Sequence, residues 1–84
     1  MSDTPIPFPL TGEERLSLFN RMVDEGRYQK FRIEGKPFML DLWSASCIVQ
    51  VANALNKANR VKFLNMDLIP MAVLAMDLLV KNRG

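Results

Sequence analysis

The apolar positions between residues 11 and 26 recur three or four residues apart: Leu16, Phe19, Met22 and Val23. This spacing predicts one buried face of an amphipathic helix. Thr11 and Glu14 have the spacing of a capping box, in which both side chains satisfy amides of the first turn. Gly26 can adopt the left-handed conformation that ends a helix. We therefore predict a helix that starts at Thr11 and ends at Gly26.

The pattern changes to alternation between residues 27 and 42, which predicts a β-hairpin with Glu34 and Gly35 as its turn. The inner face then carries Phe31, Ile33, Phe38, Leu40 and Leu42, and the outer face carries Tyr28, Lys30, Arg32, Met39 and Asp41. Pro37 has no amide hydrogen to donate, so its strand should lie at the edge of the sheet.

Helical spacing returns after the hairpin. We expect the strand to end at Trp43, Ser44 to cap a helix, and the helix to begin at Ala45. The stretch from 45 to 65 can be one helix, or two with a break between residues 56 and 59. In the second case Val61 and Leu64 should lie on the same side of the short helix.

The final element is predicted to start after Asp67, with Pro70 in its first turn. From residue 68 to 80 it is apolar on every face except at Asp77, and such a helix has to be covered on every face. Few other elements are available to cover it, so we expect self-association, with a dimer favoured. The alternatives are a different protein that covers the same surface and a monomer that wraps the helix completely. The residues expected at this contact are Met71, Leu74 and Leu78.

Pro5, Pro7 and Pro9 alternate with Ile6 and Phe8 near the N-terminus. Proline disfavours helix at and before its own position, so residues 1–10 should be extended. This arm can lie across its own domain or across a neighbouring subunit, or it can be a frayed terminus. We predict one compact, mostly helical α+β domain over residues 11–84: a helix, a hairpin, then two or three helices.

Composition argues against catalysis. The 84 residues include no histidine and one cysteine, and the four glycines are scattered. Without histidine the usual general base and zinc ligand are missing, so we expect no enzyme, no cofactor and no metal site. Cys47 lies in an apolar run and should be a small core residue. Asp41 and Asp77 are the carboxylates in apolar surroundings, and Asp77 should point outward or pair with an arginine or lysine of another element or subunit.

The chain also lacks a segment that predicts membrane insertion or export. The longest apolar segment, residues 68–80, is too short to span a bilayer, and no basic region precedes an apolar stretch at the N-terminus. A lone thiol is typical of a reducing compartment. We therefore expect a soluble cytoplasmic protein.

The remaining signals point to binding. The main hypothesis is a protein-binding module, a regulator or inhibitor of the kind encoded by phages or accessory genes, which occupies a partner's surface. Its predicted contact residues are Tyr28, Lys30, Arg32, Met39, Ile6 and Phe8. A nucleic-acid-binding protein that uses the same basic hairpin is the first alternative, although the net charge is only +2. A structural subunit of a larger assembly is the second.

Overall fold

Residues 4–83, which the computed structural model describes with side chains as far as residue 81, form four helices and one three-stranded sheet. The element order is β1 (Ile6–Pro7), α1 (Gly12–Glu25), β2 (Gln29–Ile33), β3 (Lys36–Leu40), α2 (Leu42–Ala54), α3 (Lys57–Leu64) and α4 (Leu68–Arg83). The predicted mostly helical α+β fold is therefore confirmed.

Helix α1 has the predicted boundaries. The Thr11 hydroxyl oxygen accepts a hydrogen bond from the Glu14 amide at 3.2 Å, so the first turn is capped. Gly26 ends the helix at φ 65°, a conformation that costs glycine little because it has no Cβ atom. Phe19 and Met22 of this helix are buried in the core.

The hairpin also has the predicted register. Ile33 pairs with Lys36 and Phe31 pairs with Phe38 in the antiparallel β2–β3 ladder. Both turn residues have positive φ angles, 53° at Glu34 and 78° at Gly35, as a tight two-residue hairpin turn requires. Strand β3 is an edge strand, so Pro37 is tolerated there as predicted.

Strand β1 was not predicted. Ile6 pairs in parallel with Phe31, and Pro7 pairs with Arg32. The Phe8 ring then packs edge-on against Phe31, with 5.2 Å between ring centres. Residues 4–10 therefore lie across their own domain, and residues 1–3 of the predicted arm fall outside the described part of the chain.

The start of α2 corrects the sequence prediction. The strand ends at Leu40, and Asp41 caps the helix by accepting a hydrogen bond from the Ser44 amide at 2.7 Å. Ser44 is therefore not the cap. Leu42 is an exposed first-turn residue and not part of the inner sheet face. Asp41 was expected in apolar surroundings, but it is exposed, as a helix cap at the surface should be.

The stretch from 45 to 65 forms two helices. The Asn56 side chain accepts a hydrogen bond from the Asn59 amide at 2.9 Å and so starts α3. Arg60 donates to the carbonyls of Ala52 and Leu55, which satisfies the end of α2. Val61 and Leu64 lie on the same side of α3, as predicted, since both line one cavity, although Leu64 is buried and Val61 is exposed.

Helix α4 packs on α2 along one side only. Its buried residues are Leu68, Met71, Ala72 and Ala75, and they join a core that also contains Cys47, as predicted. The opposite side of α4 faces solvent. Asp77 points outward, as expected, and pairs with Lys81 one turn later at 3.1 Å.

Candidate functional site

The described residues contain no buried polar or charged side chain. They also contain no group of three acidic, cysteine or histidine residues that could hold a metal ion. Three surfaces in this part of the chain involve the predicted residues or their neighbours.

Four of the six predicted contact residues lie on the outer face of the hairpin: Tyr28, Lys30, Arg32 and Met39. Lys30 lies directly opposite Met39 in the ladder, and Arg32 lies opposite Pro37. Met39 is 54% exposed, so an apolar side chain stands in water beside a cation. The Arg32 guanidinium also donates a hydrogen bond to the Pro5 carbonyl at 3.3 Å, which ties this face to the N-terminal segment.

The other two predicted contact residues pack inward. Ile6 and Phe8 are partly buried and lie against the hydrophobic core. Phe8 contacts both Phe19 and Phe31, and the guanidinium of Arg15 lies over its ring. Part of each side chain stays accessible, and Ile6 also lines a surface groove, so the role of these two residues in binding stays a prediction.

A groove joins the hairpin to α1, and we call it the basic groove after its cations Arg21, Arg27 and Lys30. Its volume is about 610 Å³, and it is lined by Thr4, Ile6, Leu18, Arg21, Met22, Glu25, Arg27, Tyr28, Gln29 and Lys30. The lining residues come from the C-terminal half of α1, from the connection that follows Gly26, from the start of β2 and from the N-terminal segment. The structure thus brings Tyr28 and Lys30 to one site with Arg21.

Sequence reasoning missed Arg21 because the residue lies on a different element. In the sequence it reads as one polar position on the solvent side of α1, with no local sign of a site. The signal that could have placed it was the helix end at Gly26, because few residues separate Arg21 from Arg27 and Tyr28 across that end.

The third surface is the solvent side of α4, and we call it the α4 stripe: Ile69, Val73, Met76 and Val80. Residues Ile69, Val73 and Val80 are 53%, 58% and 69% exposed, and Met76 is partly buried at the margin. Steps of four, three and four residues put all of them along one side of the helix. The stripe contains no charged side chain.

The predicted self-association residues lie elsewhere on α4. Met71 is fully buried in the core and Leu78 packs partly against it, whereas Leu74 is exposed beside the stripe. The sequence could not decide between these positions because the helix is apolar all round, and packing on α2 determines which side remains in water.

No described helix is both long and apolar enough to cross a membrane. Comparison with protein-family models, with curated proteins and with solved structures found no match.

Proposed function

We propose that this chain is a small non-enzymatic protein-binding module, a regulator or inhibitor that occupies a partner's surface and works as a homodimer. The observation that carries the proposal is the α4 stripe. Three β-branched apolar side chains on one helix face are each more than half exposed, which is costly in water and typical of a surface that a protein covers.

A second copy of the chain is the occupant that fits the α4 stripe. Its spacing is the heptad spacing by which two helices interlock side chains along a shared seam. Valine occupies two equivalent positions of that seam, Val73 and Val80, and β-branched residues at such positions favour helix pairs. A symmetric contact between two copies of the stripe would bury no charged side chain.

The size of the stripe sets the strength of the contact. A helix of 16 residues is about 24 Å long, so one helix pair gives an interface below the roughly 1,200–2,000 Å² of stable complexes. We therefore expect a dimer that dissociates on dilution. The hairpin's outer face and the basic groove are not part of this seam and are left for another protein.

The proposal includes a cytoplasmic location, supported by a single buried thiol, and an origin in a phage or accessory gene, supported only by the small size. Nucleic-acid binding through the basic hairpin face is one alternative, and a binding test must distinguish it from protein binding. The second alternative is a structural subunit, which would use the same α4 stripe as its contact in a larger assembly.

The test is the change Val73→Glu, which puts a charge into the seam at an exposed position. Sedimentation equilibrium should show the dimer dissociation constant rising by about tenfold or more, while thermal unfolding at low concentration stays unchanged. Asn53→Glu adds the same charge on exposed α2 surface and should leave the dissociation constant as it is. Equal dissociation constants for wild type and Val73→Glu would contradict the proposal.

A further inference from the structure

We infer that the basic groove binds an acidic segment of the partner protein, one in which a carboxylate side chain stands next to an apolar one. The inference rests on the proposed protein-binding function and names the chemistry of its partner. It is carried by the combination of three cations with an apolar floor in one groove.

The cations come from two elements and face the same space. Arg21 is an exposed residue of α1, Arg27 follows the Gly26 turn, and Lys30 lies half-buried in β2. Among the described lining residues the carboxylate is Glu25, whose oxygen is 3.7 Å from Arg27 Nε. That pair is about half exposed, and such ion pairs add little stability, so Arg27 can exchange Glu25 for a ligand carboxylate.

Three apolar side chains line the groove together with the cations, and we call them its apolar floor: Ile6 from the N-terminal segment and Leu18 and Met22 from α1. A volume of about 610 Å³ is in the range of sites that take several side-chain groups. A leucine or phenylalanine of the partner would remove this floor from water, and its flanking carboxylates would reach the guanidinium and ammonium groups.

An acidic peptide fits the groove better than a nucleic acid does. A phosphate backbone needs a row of cations along an open surface, and here Glu25 interrupts the row within the groove while Glu34 lies at the end of the same hairpin. An apolar floor offers nothing to a phosphate. The same floor holds an aliphatic side chain well.

The experiment measures fluorescence anisotropy of a labelled peptide of repeating glutamate and leucine, EELEELE, with the full chain. We expect Arg21→Glu and Lys30→Glu each to weaken binding by about tenfold or more, because each replaces an attraction by a repulsion. Lys62→Glu is the matched control, since Lys62 is an exposed cation of α3 outside the groove. It should change binding by less than about twofold.

Two further probes separate the alternatives. The neutral peptide QQLQQLQ should bind at least about tenfold more weakly than EELEELE, because it keeps the leucines and loses the charge. A short DNA duplex with the same label should bind more weakly than the acidic peptide. Tighter binding of the duplex, equal loss in the Lys62→Glu variant, or no peptide binding would each overturn the inference.

A failure of the groove to bind the acidic peptide can be distinguished from a failure of the proposed homodimer. The mass of the chain and its response to Val73→Glu report on the α4 stripe, which shares no residue with the groove. Circular dichroism of each groove variant confirms that the fold is retained, so that lost binding is not lost structure.

Discussion

The guanidinium of Arg15 lies 4.4 Å from the centre of the Phe8 ring and holds three segments of the chain together. It donates hydrogen bonds to the carbonyl of Pro9 at 2.7 Å, of Leu64 at 2.7 Å and of Met66 at 3.1 Å. The pKa of Arg15 lies below its usual value because the guanidinium is partly buried, and the nearby negative charge of Asp67 offsets only part of this effect. The N-terminal segment, α1 and the α3–α4 connection therefore meet at one side chain.

Replacing Arg15 should destabilise the fold. Hydrogen bonds from a charged donor are each worth about 1.5–3 kcal/mol and are not additive, so we expect Arg15→Ala to lower the free energy of unfolding by about 2–3 kcal/mol. Arg15→Lys should recover little, because an ammonium group lacks the planar fork that reaches several carbonyls. Urea unfolding measures both.

The control for that series is Arg21→Ala, an exposed arginine on the same helix. It should change the free energy of unfolding by less than about 0.5 kcal/mol. Equal losses at the two arginines would show that Arg15 contributes only helix-surface charge.

The cap of α2 should make stability depend on pH in the acid range. Hydrogen bonds from Ser44, first from its backbone amide and then from its side chain, hold the pKa of Asp41 below its usual value, against a small opposing effect of burial. A carboxyl group with a lowered folded-state pKa stabilises the fold above its unfolded pKa of about 3.9, and that stability is lost as the pH falls through the folded-state value.

Asp41→Asn isolates this contribution, because asparagine caps helices about as well and does not titrate. We expect wild type to lose stability relative to Asp41→Asn as the pH falls below about 4, with a constant difference between pH 5 and 7. Thermal unfolding across this range measures it. A difference that stays constant down to pH 2 would show that Asp41 does not titrate with folding.

The hairpin turn offers a stabilising change. Glu34 has φ 53°, a left-handed conformation that a glutamate adopts at a cost and that asparagine tolerates. We expect Glu34→Asn to raise the free energy of unfolding by about 0.5–1 kcal/mol. The control is Lys36→Asn at the first residue of β3. It should not raise the free energy of unfolding, because asparagine is disfavoured in strands. A loss at position 34 would contradict the turn assignment.

Local signals predicted α1 and the hairpin correctly. Thr11 and Gly26 mark the helix ends by their own chemistry, although the Thr11 hydroxyl is the half of the predicted capping box that the structure shows. The Glu34–Gly35 turn fixes the register through the alternation of side chains on both strands. Each of these signals acts over a few residues, so no knowledge of the tertiary fold is needed to interpret it.

The missed features depend on contacts between distant parts of the chain. Strand β1 exists because Ile6 meets Phe31, and Arg15 is an internal link because Leu64 and Met66 come back to it. The exposed side of α4 is the side that α2 does not cover. In a helix that is apolar on all sides, periodicity does not show which side is buried. Met71 was therefore expected at a surface, and it is found in the core.

The most direct test of the central claim is the mass of the wild-type chain by light scattering, measured over a range of concentrations and at low and high salt. We predict a species that approaches twice the 9.6 kDa of one chain as concentration rises, with little dependence on salt because the α4 stripe is apolar. A mass of one chain at every concentration would contradict it, and would leave the exposed face of α4 without the partner proposed for it.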